Sequence, residues 1–158
     1  MGLGPEEFRG AARKFATGVT VVTVAVGDRL HGMTASAFAS VSLDPPLVLV
    51  CLDRQSQTRS LVLEAGAFAV NVLRSDQEPI ARAFSERGVK PFHSLPHRIG
   101  PAGSPLLDGA IAWIECRIHE TIHSGDHDVI IGQVVASETA EGDPLLYFNR
   151  AYRAIQLH

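Results

Sequence analysis

Strand-forming runs follow one another along most of this chain, with only short turns between them. Residues 18–26, GVTVVTVAV, are rich in β-branched types and read as a strand. Gly27-Asp28 reads as a turn, and the chain returns through Leu30 to Met33. Residues 47–52, LVLVCL, read as a strand buried on both faces, started by Pro45-Pro46, which cannot donate to a ladder. Residues 67–73, 111–122 and 129–137 add further strands, and 145–155 reads as a last one. Helical spacing is confined to short stretches. Pro5 opens one in which Phe8, Ala11, Ala12 and Phe15 recur. Residues 58–65, closed by Gly66, form another. A third is expected from the capping box Ser75-x-x-Glu78, running to about Arg87 with Gly88 as its stop. Helices do not alternate regularly with strands, so a doubly wound parallel sheet is disfavoured. The expected fold is mainly β with peripheral helices, an antiparallel barrel in a single domain over residues 1–158. Residues 89–109, rich in Pro and Gly, read as a long connection, functional or disordered.

Composition excludes several classes. The net charge is −3 and both signs are scattered, with no basic stripe for nucleic acid. The longest apolar stretch, residues 47–52, is too short to span a bilayer. The start, MGLGPEEF, has no charged n-region and no apolar h-region, so a cytoplasmic protein is expected. Cys51 and Cys116 sit in strand-like runs and read as buried free thiols of a reducing compartment.

Residues 119–123 spell His-Glu-Thr-Ile-His, a literal H-E-x-x-H. That motif binds zinc on a helix, where positions four apart share a face. Here Ile114, Cys116, Ile118 and Ile122 alternate with Glu115, Arg117, His119, Thr121 and His123, the period of a strand. Residues four apart on a strand are separated by roughly 13 Å, too far to share one zinc easily. No metal is expected. No G-x-G-x-x-G follows a strand, no G-x-x-x-x-G-K-[ST] occurs, and no G-x-S-x-G elbow is present. If the chain is an enzyme, a bound cofactor carries the chemistry.

Two segments have the character of ligand sites. Residues 32–46, GMTASAFASVSLDPP, carry small side chains where a strand prefers bulk, which lets backbone approach a flat ligand. Residues 54–58, RQSQT, lie between a strand and a helix, so Ser56 and Thr58 stand where helix N–H groups can receive an anion. The alternative is a tight turn with Ser56 as an ordinary N-cap.

The ordered set ATGVTVVT, GMTASAFASVSLDPPLVLV, RQSQT, FAVNVL, SGDHDVIIGQVV and PLLYFNRAYR resembles the short-chain flavin reductases over almost the whole chain. These are the reductase components of two-component flavin-dependent monooxygenases. The resemblance implies an FMN-binding split barrel of Greek-key type, a homodimer, FMN or FAD as flavin, NADH or NADPH as reductant, and a separate monooxygenase partner. It places Thr34, Ala35, Ser36, Ala37 and Phe38 along the isoalloxazine, with Ser40 and Val41 as neighbouring contacts. It assigns Gln55, Ser56, Gln57 and Thr58 to the flavin phosphate, while Arg54 either pairs with that phosphate or faces solvent. Gly125, Asp126 and His127 match an element near the nicotinamide, with His127 as the candidate catalytic residue in a binding and orienting role. From the residues alone, Ser124 to His127 also read as a plain hairpin turn. Phe148 and Tyr152 match the outer wall of the nicotinamide site. Over residues 89–109 the resemblance is loose, and no contact is carried over to Lys90 or Phe92. The rival readings are an FMN-retaining split-barrel oxidase of the pyridoxamine-phosphate-oxidase type and a flavin-binding module without turnover.

Overall fold

The computed structural model describes residues 2–156 and 158. In chain order the elements are α1 (Pro5–Ala12), β1 (Thr17–Gly18), β2 (Thr20–Val26), β3 (Arg29–Ala35), β4 (Phe38–Leu43), β5 (Pro46–Asp53), α2 (Gln57–Ala65) and β6 (Ala67–Val72). They continue with α3 (Glu78–Ser85), β7 (His97–Ile99), β8 (Pro105–Leu107), β9 (Ala112–Ser124), β10 (His127–Thr139), β11 (Leu145–Phe148) and β12 (Ala151–Ala154).

Seven strands form one antiparallel sheet in the order β3-β2-β6-β9-β10-β5-β4. Its two edge strands, β3 and β4, are consecutive in sequence and joined only by Ser36 and Ala37. A two-residue link cannot cross the width of a flat seven-stranded sheet, whose strands lie about 4.8 Å apart. The sheet must therefore curl until its edges meet, giving a barrel with one unpaired seam. The connection from β5 to β6 runs through α2, which packs chiefly on β2 and also meets β3, β5 and β6. The mainly β, split-barrel expectation is met.

Two apolar clusters hold this shape. One joins Val22, Val24, Val50, Leu52, Phe68, Val70, Cys116 and Ile130 of the barrel strands to Leu61 and Val62 of α2. The other lies outside β2 and β6, where Val19, Val21 and Leu73 pack with Ala81 and Phe84 of α3 and with Phe92, Leu107 and Leu145. Residues covered on both faces are therefore those of β2 and β6, not those of β5. In β5, Val48, Val50 and Leu52 are buried while Leu47, Leu49 and Cys51 on the other face are only half-buried. An apolar run shows that burial is needed but not which strand has a covering layer on its outer face.

Three local expectations need correction. The third helix starts at Glu78 with Gln77 as N-cap, and the Ser75 capping box does not form. Gln77 Oε1 instead accepts from Arg74 N at 2.8 Å, and Gln77 is buried, so its side chain displaces the expected cap. Residues 89–109 are not a structureless connection: they form the β7–β8 hairpin and bury Phe92, Leu106 and Leu107. The segment 145–155 is two strands, not one, because Asn149 and Arg150 adopt φ of 50° and 66° and turn the chain back.

Candidate functional site

A cleft of about 570 Å³ opens where β3, the β5–α2 loop and the C-terminal end of α3 converge. Small-ligand sites occupy about 300–1,000 Å³. Thr34, Gln55, Ser56, Gln57 and Thr58 all line it, beside His31, Met33 and Asp53. The loop is shaped by Asp53, whose Oδ1 accepts from Gln55 N at 2.8 Å and whose carbonyl accepts from Ser56 N at 3.0 Å. Ser56 then caps α2, its Oγ accepting from Arg59 N at 3.1 Å. The N-cap reading of Ser56 is thus correct, and it does not conflict with an anion site, because the hydroxyl proton remains free to donate outward. The first turn of α2 carries no acidic side chain. Its uncommitted N–H groups and positive dipole end favour an anion.

Behind this loop the polar groups are already engaged. Thr58 is 1% exposed and its Oγ1 lies 2.8 Å from His31 Nδ1. Thr34 Oγ1 donates to Ala81 O at 2.6 Å, tying β3 to α3. Lys90 is buried, and its Nζ donates to the carbonyls of Phe84 and Glu86, a cation at the C-terminal end of α3. Burial pushes the Lys90 ammonium pKa down against the opposing pull of Glu86. Burial also lowers the His31 pKa, assisted by the positive charges of Lys90 and Arg29. Asp53 and Glu86 are the acids lining the cleft, and Arg87 and Lys90 are its full cations.

The seam follows Thr34 in the chain, and Ala35, Ser36, Ala37 and Phe38 do not themselves line the cleft. Ala35 closes β3 and is buried, Ser36 and Ala37 are exposed, and Phe38 opens β4 half-buried. Cys51 N donates to Ala37 O at 3.1 Å and Phe38 N to Ser36 O at 3.0 Å, so the link is held against β5. Small side chains here leave backbone accessible beside Thr34. Ser40 and Val41 lie further along β4, exposed, and do not line the cleft. The register shifts between Ser40 and Ser42, so Val41 is bulged out of the ladder.

The tip of the β9–β10 hairpin stands next to the loop. His127 pairs with Asp53 across β10 and β5, and Arg54 N donates to Asp126 O at 3.0 Å. Gly125 has φ 64°, the left-handed conformation a tight hairpin requires, so the turn reading is correct as geometry. His127 Nδ1 lies 2.7 Å from Asp126 Oδ1, and this contact holds the Asp126 carboxyl below its ordinary pKa. Arg54 turns to Asp128, its Nε 3.7 Å from Oδ1. Asp128 is buried between Arg59 Nε at 2.6 Å and His123 Nδ1 at 2.5 Å. His119 and His123 lie on β9, a strand, and His123 is committed to this network. Among the described residues no three His, Cys, Asp or Glu side chains gather as a metal set. Burial raises the pKa of the free Cys116 thiol to about 12 and also raises that of half-buried Cys51.

Phe148 and Tyr152 lie on the β11–β12 hairpin and do not line the cleft. The Tyr152 ring packs against Tyr147 at 5.2 Å and under Arg82 of α3 at 5.0 Å. The lining residues missed by sequence reasoning are His31, Asp53, and Phe84 to Gly88 with Lys90. Only His31 carried a hint, directly before the small-residue segment.

A barrel with a small-residue seam beside a helix N-terminus has the groups to hold a flat ring with an anionic tail. The chain matches the flavin reductase like domain family over residues 12–156 and belongs to that family. It is 36% identical over 156 residues to an NADH-dependent flavin reductase of Rhodococcus sp, covering 97% of this chain and 88% of that protein. It is 38% identical over 151 residues to the 4-hydroxyphenylacetate 3-monooxygenase reductase component of Thermus thermophilus, covering 95% and 96%. A probable flavin reductase of Rhizobium meliloti is 41% identical over 149 residues, which are 94% of this chain, but the chain spans only 48% of that longer protein. The structure of Streptomyces globisporus NADH:FAD oxidoreductase SgcE6 in complex with NAD and FAD fragments superposes with TM-score 0.92 at 35% identity, covering 99% of this chain and 97% of that one.

Proposed function

We propose that this chain is an NAD(P)H:flavin oxidoreductase that reduces FMN or FAD and supplies the reduced flavin to a separate monooxygenase. The observation that carries the reading is the continuity of the site: Thr34 at the seam, the N-terminus of α2 and the turn after α3 line one cleft. The donor set fits a flavin, with small residues for the ring and N–H groups, the Ser56 hydroxyl and unpaired cations for the phosphate. The Rhodococcus and Thermus relatives support the reaction and the kind of partner.

A bound flavin would supply the redox chemistry, as the hydride acceptor for a reduced nicotinamide. The protein's part is positioning. Thr34 to Phe38 seat the ring, and Gln55 to Thr58 hold the phosphate. His127, at the hairpin tip beside that loop, binds and orients the nicotinamide nucleotide, while Phe148 and Tyr152 close the outer wall. No side chain is needed to move a proton in the hydride step. The decisive experiment is steady-state oxidation of NADH and NADPH with FMN, FAD and riboflavin in turn. Turnover that depends on added flavin is expected. A protein that binds flavin without consuming either nicotinamide is a binding module, and one that retains FMN and oxidises another substrate is an oxidase.

The same reading makes the chain a cytoplasmic homodimer. Exposed Phe8, Phe15, Val41 and Leu43, with the half-covered face of β5, provide apolar surface for a second copy. No described helix is long and apolar enough to cross a membrane. Light scattering should give a dimer at micromolar concentration, and a monomer that binds flavin normally would refute the assembly.

A further inference from the structure

Asp128 interrupts an apolar row. Buried positions alternate along β10 from Asp128 through Ile130 to Gly132, and Asp128 pairs across the sheet with buried Leu52. Leu52 and Ile130 belong to the apolar cluster that includes Leu61 and Val62 of α2. An aliphatic side chain is the ordinary occupant of such a position, and a carboxylate is rarely buried there unless paired. Both Asp128 oxygens are engaged. Oδ2 accepts from Arg59 Nε at 2.6 Å, and Oδ1 lies 2.5 Å from His123 Nδ1, with Arg54 Nε at 3.7 Å. A buried ion pair is poor evidence of stability, because desolvation offsets most of its Coulomb energy and a well-packed apolar pair does as well. What such a pair sets is geometry.

The geometry joins two elements assigned to different ligands. Arg59 also donates its backbone N–H to Ser56 Oγ at 3.1 Å, so one residue carries both the cap of the phosphate loop and the pair with Asp128. His127 precedes Asp128 in the chain, with its side chain on the opposite face of β10. The other ties between loop and tip are the pairing of His127 with Asp53 and the bond from Arg54 N to Asp126 O, and neither reaches α2. Arg59–Asp128 is, among the described residues, the one ion pair between α2 and the β9–β10 hairpin.

We propose that Asp128 is a positioning residue for the hydride step: through Arg59 it fixes the N-terminus of α2, which holds the flavin phosphate, relative to the hairpin tip, whose His127 orients the nicotinamide. This rests on the flavin reductase reading above. Hydride donor and acceptor must meet at about 3–3.5 Å, and a misplacement of about 1 Å costs on the order of 100-fold in rate. Two ligands held by two elements keep that distance only if the elements keep theirs. An apolar pair of similar volume packs as well but does not fix one arrangement.

The test is anaerobic stopped-flow mixing of the flavin-loaded whole protein with NADH, following loss of the oxidised-flavin absorbance. The native chain is compared with Asp128→Leu/Arg59→Met and with Asp128→Asn. The double variant replaces the ion pair by apolar side chains and leaves the Ser56 cap, which uses the Arg59 backbone. It should keep its Tm within a few degrees and its flavin affinity within about twofold, yet reduce flavin about 10–100-fold more slowly at saturating NADH. Asp128→Asn keeps the shape without the charge and should slow the same step by less. An unchanged limiting rate in the folded double variant, or in Asp128→Asn should the double variant not fold, overturns the proposal. A slower rate with an equal loss of flavin affinity marks a distorted phosphate loop and also overturns it. So does a higher NADH requirement at an unchanged limiting rate, which gives the cluster to binding alone. A native protein that reduces no flavin is a different result, which removes the functional reading itself.

Discussion

On one wall of the cleft Thr58 is buried with its hydroxyl held 2.8 Å from His31 Nδ1, and Ser56 is fixed as the cap of α2. At the neighbouring hairpin tip Gly125 and Asp126 stand in solvent, and His127 is held by the carboxylate next to it in sequence. The first wall is anchored to the barrel core through Leu61 and Val62 of α2. The tip is held by one backbone hydrogen bond, Arg54 N to Asp126 O, and at its base buried Asp128 joins Arg59 and His123. A group that must always meet the same phosphate belongs on the rigid wall, where its orientation is set before binding. A group that meets a cosubstrate arriving and leaving each turnover can stand on the looser one.

The contrast is tested most severely on the rigid wall. Replacing Ser56 and Thr58 together by Ala should weaken FMN and FAD by about 10–100-fold and riboflavin much less, the size of one lost hydrogen bond to a charged group at about 1.5–3 kcal/mol, that of the Ser56 hydroxyl, because the Thr58 hydroxyl is buried on His31. Loss of the Ser56 cap should also cost about 1 kcal/mol of stability, read by thermal melting. Equal losses for all three flavins would place the phosphate elsewhere. On the looser wall, His127→Ala should raise the KM for NADH by about tenfold, lower kcat less, and leave flavin affinity unchanged, the kinetic form of lost ground-state binding. Unchanged kinetics would reduce His127 to a turn residue, and a collapse of flavin binding would mean it serves the other ligand.

The base of the hairpin should respond to pH. The Asp128 carboxyl is held below its ordinary pKa, first by its hydrogen bond to His123 and then by Arg59, against the opposing effect of burial. A carboxylate depressed in the folded state stabilises above its unfolded pKa and loses that contribution as pH falls through the folded value. Asp128→Asn should therefore lower Tm by a few degrees at neutral pH, and the gap should close as pH drops below about 4. A gap that persists in acid would mean packing, not charge, makes the difference. The smallest effect is expected for metal: elemental analysis should find no zinc. About one zinc per chain, lost in His123→Ala, would overturn the strand geometry of β9.

Much of this was legible in the residues. The alternation from Ile114 to His123 outweighed a literal zinc motif and matches the strand β9. Gly66 ends α2 in the left-handed conformation expected of it. Residues 54–58 read as an anion loop, and four of the five line the cleft. Arg54 was the open case, and its guanidinium faces Asp128. Other signals were overridden. The Ser75-x-x-Glu78 pattern was a sound capping box, yet Gln77 found a better use for the same turn between Arg74 N and Asp108 O. No contact could be carried over to Lys90 from the sequence, and it is buried on the carbonyls of Phe84 and Glu86.

The division follows the range of the interactions. Strand period, turn residues and the α2 cap act between residues a few positions apart, so the order and type of the main elements could be read along the chain. Closure of the sheet between β3 and β4 and the docking of α2 and α3 are long-range events, and together they bring His31, Thr58 and Lys90 to one cleft. Which strand gained a second covering layer, and which cations were left unpaired around the cleft, depended on where α3 and residues 89–109 came to rest. No local periodicity records that, because the partners are chosen by packing across the barrel.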